Sequence, residues 1–337
     1  FAAILLAPIL LTLGQDAAPP APAPKPPPLK VIALVGGIVH TMVSSGAEVA
    51  PAQVATVLLQ GDRILAVGPS IEIPADAARV DVTGKHVIPG LIDAMVNHDA
   101  DHDRLYVTAG VTLVRDVGNE LARILMDRDK GGKSGARVHG PGPAIYSCGA
   151  VLDGAPPSTT SAVVLDTPEK AEENLSRLFA LDLDFLSFHA GLSEPVWRKV
   201  IQIGHEGKLQ VWGPKLPGVD AAKIAASGQD GLYHLEAFLP EDKGWTDVTL
   251  DDLKPGIEAF TGKHPNDKTA KTIAVTPTLA VFAKRLIDPP KVPPELAYLS
   301  PIYVQSWIAD AGMRGKLMIE DKNFLANGLR VVDVQGK

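Results

Sequence analysis

Cys148 is the only cysteine among 337 residues, which rules out an internal disulfide and any zinc cluster built from several thiolates. Aromatic residues make up only 5 %, so a core has to be assembled mainly from Ala, Val, Leu and Ile. Basic blocks are missing too: 32 Lys and Arg stand against 39 Asp and Glu, for a net charge of -7, and no cluster could neutralise a run of phosphates. Nucleic acid is therefore not an expected partner. No apolar run reaches the roughly 20 residues that cross a bilayer as a helix. The apolar fraction of 46 % with 21 % charged residues nevertheless supports a large buried core, which excludes disorder throughout.

The longest apolar run, residues 1–13, reads as an export segment. Because the chain starts at Phe rather than Met, residues upstream could complete a span, and the reading favours an uncleaved anchor over a cleaved signal peptide. Seven prolines with interspersed alanines follow in 15–30, a polyproline II spacer of ~3.1 Å per residue. These features predict a periplasmic or otherwise extracytoplasmic body fastened to the inner membrane by its N-terminus.

The region 31–88 reads as a small β-domain. Its apolar run 31–35 is followed by Gly36-Gly37 and a second run to Met42, both taken as strands. Stretches 54–59 and 64–67 flank Gln60-Gly61-Asp62-Arg63 as a hairpin, and two further strands surround Thr83-Gly84. From residue 89 onwards short apolar strands alternate with helices. Strand candidates are 88–95, 112–117, 185–188, 209–212, 231–235, 273–276 and 329–334, with amphipathic helices at 168–180 and 194–204. That order predicts parallel strands with helical crossovers: an α/β fold, a (β/α)8 TIM-like barrel over 89–337 behind a small N-terminal β-sandwich.

Several motifs occur in a fixed succession. Gly61-Asp62-Arg63-Ile64-Leu65-Ala66-Val67-Gly68 precedes Asp81-Val82-Thr83-Gly84-Lys85-His86-Val87-Ile88-Pro89-Gly90-Leu91-Ile92-Asp93. Ala109-Gly110-Val111-Thr112-Leu113-Val114-Arg115-Asp116-Val117-Gly118, Gly204-His205-Glu206 and Pro294-Glu295-Leu296-Ala297-Tyr298-Leu299 come later. This series resembles the metal-dependent amidohydrolase superfamily, in its imidazolonepropionase-like and prolidase-like branch, over roughly 31–337. The resemblance implies one or two divalent ions at the C-terminal mouth of the barrel, activating water and polarising a carbonyl. It also implies the ligand positions. The histidine pair of the first strand falls on Met95 and Asn97, the bridging lysine on Ser187, and the fifth-strand histidine on Pro214. His234 alone keeps its imidazole, while the eighth-strand Asp falls near Gly336, with Asp333 three residues early. One such ligand does not hold an ion against water. The expectation is therefore a relic centre with no catalytic residue, metal or cofactor.

Other candidates have simpler explanations. His98 and His102, at i, i+4 in an Asp-rich stretch, suit either a displaced ion or a solvated helix start. His205 reads as structural, Cys148 lacks a visible base, and Ser187 with His189 makes a weak nucleophile and base pair. Gly131-Gly132-Lys133-Ser134-Gly135 lacks the spacing of a phosphate loop. Residues 239–272 could cover the barrel mouth, and the aromatic, Pro-rich 289–307 could contact a partner. The resulting expectation is a non-catalytic accessory subunit, anchored to an integral membrane protein complex of respiratory or photosynthetic type. Two alternatives remain open: an active metal-dependent amide or peptide hydrolase with a rearranged site, and a module that binds a small molecule in the relic pocket.

Overall fold

A computed structural model describes residues 29–45, 48–129, 142–243, 248–261 and 273–278. The apolar segment 1–13, most of the Pro-rich spacer, the 131–135 turn, the 289–307 segment and the 329–334 strand lie outside the described residues. So the structure bears on neither membrane anchoring nor the expected complex. Among the described residues no helix is long and apolar enough to cross a membrane. The chain divides into two compact units, one ending at Pro89 and the other beginning at Gly90.

The first unit contains β1 (Val31–Val39), β2 (Ser44–Ser45), β3 (Glu48–Val49), β4 (Gln53–Gln60), β5 (Arg63–Gly68), β6 (Ala78–Asp81) and β7 (His86–Val87). Its main sheet runs β5-β4-β1-β6, with β7 also paired to β1, and β2 pairs β3 separately. Where two facing sheets of a sandwich were expected, the described residues form this one sheet and a two-residue pairing. The β4–β5 hairpin turns at the predicted place. Gly36-Gly37, however, does not end a strand. β1 continues through them with a register shift between Leu34 and Gly37, and Gly36 adopts φ +82°, open to glycine at little cost. A side chain there would also meet Thr83 Oγ1 at 2.6 Å.

The second unit alternates strands and helices: β8 (Leu91–Val96), α1 (Asp103–Thr108), β9 (Val111–Asp116), α2 (Leu121–Asp129), β10 (Ala144–Ser147), β11 (Leu152–Asp153), β12 (Val163–Val164), α3 (Pro168–Phe179), β13 (Leu186–Ser187), α4 (Glu194–Glu206), β14 (Val211–Gly213), α5 (Ala221–Ser227), β15 (Gly231–Tyr233), α6 (Leu250–Thr261) and β16 (Ala274–Thr276). Strands order as β10-β9-β8, β11-β12 and β13-β14-β15-β16, and every pairing is parallel. A bridge from Leu152 to Phe188 links β11 to the chain leaving β13, and the Ser147 and Asp184 hydrogen bonds link β10 to its approach. This is the mixed α/β class expected. The strands at β10 to β12 were not anticipated.

The helices form where local signals and burial agree. Thr167 accepts from Lys170 N and precedes Pro168, which starts α3 with a side-chain cap and a preset φ. Ala171, Leu175 and Leu178 then bury one face of it. In α4 the buried stripe is wider, from Val196 and Trp197 to Ile203 and Gly204. Gly204 allows close packing, since a Cβ there would lie 2.6 Å from a methyl of Val211. Few as they are, the aromatics concentrate in the interior: Trp197, Phe185, Phe188, Phe238 and Phe260 are among the largest fully buried side chains. Trp197 is also anchored by donating Nε1–H to Gln229 Oε1 at 3.0 Å. Trp197→Ala is expected to cost about 3–5 kcal/mol in a urea titration. Trp197→Phe should cost about 1–3 kcal/mol, because the Gln229 acceptor is left buried without its donor.

Candidate active site

Parallel strands within a sheet deliver their C-terminal ends to one side, and the residues just beyond those ends are where chemistry is sought in such folds. The inherited ligand positions can be judged there. Met95 packs against Val117, Cys148, Phe185, Trp212 and Tyr233. Asn97 donates its amide to the Gly118 carbonyl at 2.6 Å, and Ser187 Oγ accepts from the Tyr233 hydroxyl at 3.1 Å. Pro214 has no donor atom. Arg115 adds a fixed positive charge against the same rings, its guanidinium carbon 3.9 Å from the Trp212 ring centre, with Nε donating to Ala94 O and Nη2 to Thr276 Oγ1. An apolar thioether, two committed polar groups, a proline and a neighbouring guanidinium do not suit a divalent ion. The residues present therefore do not fit the metal centre that the resemblance implies.

His234, just past the end of β15, has a different setting. Its backbone takes φ +65° and its N–H donates to Thr276 O at 2.9 Å. Its Nδ1 lies 2.8 Å from Thr278 Oγ1, whose own hydroxyl donates to Pro277 O at 2.8 Å. With the threonine proton so committed, the imidazole is the donor, and Nδ1 carries its proton. Thr278 is also left-handed, at φ +54°, which is rare for a β-branched residue. Burial holds the His234 pKa below the ordinary value, the charge of His189 adds to this, and Glu236 opposes it.

His189 lies two residues past β13, its N–H donating to Leu152 O at 2.8 Å. Its Nδ1 is 2.5 Å from Ser158 Oγ and 3.4 Å from Asp153 Oδ2. Ser158 gives Asp153 Oδ2 its hydroxyl proton at 2.5 Å and its backbone N–H at 2.8 Å. Asp153, at the end of β11, is almost fully buried. Burial raises its pKa, but the bonds from Ser158 and Gly154 and the His189 charge outweigh it and leave the carboxyl below the usual range. The turns beyond β11 and β13 thus bring Asp153, Ser158 and His189 together, and His234 stands beyond the end of β15 in the same sheet as β13. A cleft of about 280 Å³ also opens past the ends of β14 and β15, between Lys215, Phe238, Glu241 and Pro255.

Sequence reading named His234 but did not anticipate Asp153 or Ser158. It paired Ser187 with His189, whereas Ser187 is buried against Tyr233 and His189 turns to Ser158. His98 is structural: it is buried with Nε2 2.8 Å from Asp103 Oδ1 and its N–H given to Asp116 Oδ2. His205 pairs with Asp230 at 2.9 Å, and Cys148 is a buried thiol whose pKa burial pushes up. Among the described residues no group of three or more His, Cys, Asp or Glu is arranged to hold a metal ion.

No family model and no curated protein matches the sequence. In three dimensions the chain is similar to bottromycin amidohydrolase, at 18 % identity over 89 % of this chain and 64 % of that one, with a TM-score of 0.62. A prolidase candidate from Bifidobacterium longum gives 19 % identity over 89 % and 69 %, with a TM-score of 0.58. Phenylurea hydrolase B gives 15 % over 84 % and 73 %, with a TM-score of 0.56. The chain therefore spans about two thirds of the length of the first two. At these identities the likeness establishes a fold of amidohydrolase type. It also corrects the expectation of a non-catalytic accessory subunit and of a non-enzyme, because the proteins sharing the fold are named as hydrolases. The physical reason is that missing imidazoles at Met95, Asn97 and Pro214 speak only for those positions, while other loops bring proton-carrying groups to the strand ends.

Asp153 yields a pH-dependent prediction. Its native pKa lies below the unfolded value of about 3.9, so its contribution to stability is present above that pH and lost as pH falls through the native value. Urea midpoints of the wild type and Asp153→Asn should differ above about pH 4 and converge in stronger acid.

Proposed function

We propose that the chain is a hydrolase of amide or peptide bonds, an amidohydrolase-superfamily protein with a (β/α)8 barrel whose reacting centre lies beyond the ends of β11, β13 and β15. One observation carries this reading: His189 and His234 both project from strand ends in a sheet of hydrolase fold, each held through Nδ1 by a hydroxyl, with no protein partner for either Nε2 among the described residues. Imidazole is the side chain suited to proton transfer at neutral pH, and the depressed pKa of His234 favours its uncharged form.

Backbone strain points the same way. His234 and Thr278 both occupy the left-handed region, at a cost of order 1–3 kcal/mol each, and the bond between them locks one imidazole in place. Such strain persists where surrounding structure overrides it, commonly at functional sites. Amide cleavage needs a base to deprotonate the attacking water and an acid for the leaving nitrogen. The residues beyond these strand ends supply groups of that kind, and of the inherited ligand positions they draw on His234 alone.

The test is hydrolysis by the purified protein of a panel of N-acyl amino acids, dipeptides and simple anilides, with amine release followed by mass spectrometry. His189→Ala and His234→Ala should each lower kcat/KM by about 10²–10⁴-fold, the usual contribution of a positioned acid or base. A wild type indistinguishable from buffer on the whole panel, or variants as active as the wild type, would overturn the assignment.

A further inference from the structure

Three contacts meet at Ser158, and counting protons decides their direction. The carboxylate of Asp153 can only accept, and it stands 2.5 Å from Ser158 Oγ; the same Oγ is 2.5 Å from His189 Nδ1. If Nδ1 were unprotonated, Asp153 and His189 would compete for one serine proton, and the loser would face an oxygen lone pair at close range. With a proton on Nδ1, Ser158 gives its hydrogen to Asp153 and receives one from His189, so both contacts are satisfied. The depressed pKa of Asp153 is consistent with that order.

We propose that His189 is the proton acceptor of this site, presenting Nε2 because Asp153, acting through the Ser158 hydroxyl, fixes the imidazole with its proton on Nδ1. This rests on the hydrolytic reading above and assigns parts within it. His189 is the catalytic group, whereas Ser158 and Asp153 are positioning residues. Ser158 is not the nucleophile, since its proton is committed to a carboxylate rather than to the base. Nε2 of His189 lies on a side chain 41 % exposed, within reach of a bound substrate.

The step balances without another reactant. Nε2 takes a proton from water as the water oxygen bonds to the amide carbon and the carbonyl π pair moves onto its oxygen. The carbonyl then re-forms as the C–N bond breaks, and Nε2–H passes its proton to the departing nitrogen. The products are an amine and a carboxylic acid that ionises in solvent, and His189 returns to its neutral form.

Long-range ¹H–¹⁵N correlation spectra of full-length protein labelled at histidine test the arrangement independently of activity, with His189 assigned from the signals lost in His189→Gln. The wild type should show His189 protonated on Nδ1. Ser158→Ala should move it to the Nε2–H form that free histidine prefers, while Ser158→Thr, with its hydroxyl kept on an exposed turn, should hold it. An Nε2–H tautomer in the wild type, or one indifferent to Ser158→Ala, would sink the proposal. So would a covalent adduct on Ser158 after treatment with a fluorophosphonate. On any substrate from the panel, Ser158→Ala should lower kcat on the order of 10²-fold with KM little changed, and Ser158→Thr should restore it. An Nδ1–H tautomer in a protein inert on every substrate removes the catalytic role by removing the hydrolytic reading, whereas hydrolysis with the wrong tautomer removes only the assignment to His189.

Discussion

A carboxylate with no access to water sits at the end of β9, and the strand ends around it are arranged to satisfy it. Asp116 accepts from His98 N–H at 2.7 Å, Asn119 at 2.9 Å, and Gly118 N–H and the Ser147 hydroxyl at 3.3 Å each. Burial raises its pKa while these donors pull the other way. An unpaired charge in such a place would be costly, so the chain leaving β8, the end of β10 and the start of the loop into α2 are tied to one point. Asn119 and Arg123 in turn donate to the His98 carbonyl, which fixes the backbone of that histidine. The residue before it on the strand, Arg115, points elsewhere and stacks on Trp212 while reaching Thr276 on β16.

Two neighbouring charges on one strand therefore brace different parts of the same parallel array. The loops that follow the strands start from fixed origins, and this is what allows a few side chains on them to be held to a defined geometry. A shared scaffold does not transmit chemistry, which depends on the groups placed upon it. Here Met95, at a ligand position the resemblance implies, packs with Phe185, Trp212 and Tyr233, and groups able to move protons stand further along the chain at Asp153, Ser158, His189 and His234.

The order of strands and helices was legible because buried parallel strands are short apolar runs and the helices between them carry a periodic apolar face. The hairpin at Gly61-Asp62 and the helices α3 and α4 follow from such local patterns. Strands β10 to β12 were not, since β11 and β12 are only two residues long and β10 follows a Gly- and Pro-rich stretch without alternation. In the site, the ligand positions at Met95, Asn97, Ser187 and Pro214 came from the family resemblance and not from the residues by themselves. The trio at Ser158 could not be read from the sequence, because its members are separated by up to 36 residues and meet only when β11 and β13 lie side by side. Ser187 and His189 illustrate the limit: residues two apart share a face only while the strand lasts, and β13 ends at Ser187.

Gly154 and Gly191 bring the turn after β11 against the turn after β13 so closely that a methyl at Gly154 would fall 1.8 Å from the Gly191 carbonyl oxygen, and one at Gly191 would fall 2.4 Å from Asp153 Oδ1. The seam between those two turns is backbone against backbone on one side and backbone against the Asp153 carboxylate on the other. Side chains cannot be enlarged at this seam without parting the two turns, so its sequence is confined to glycine by space alone.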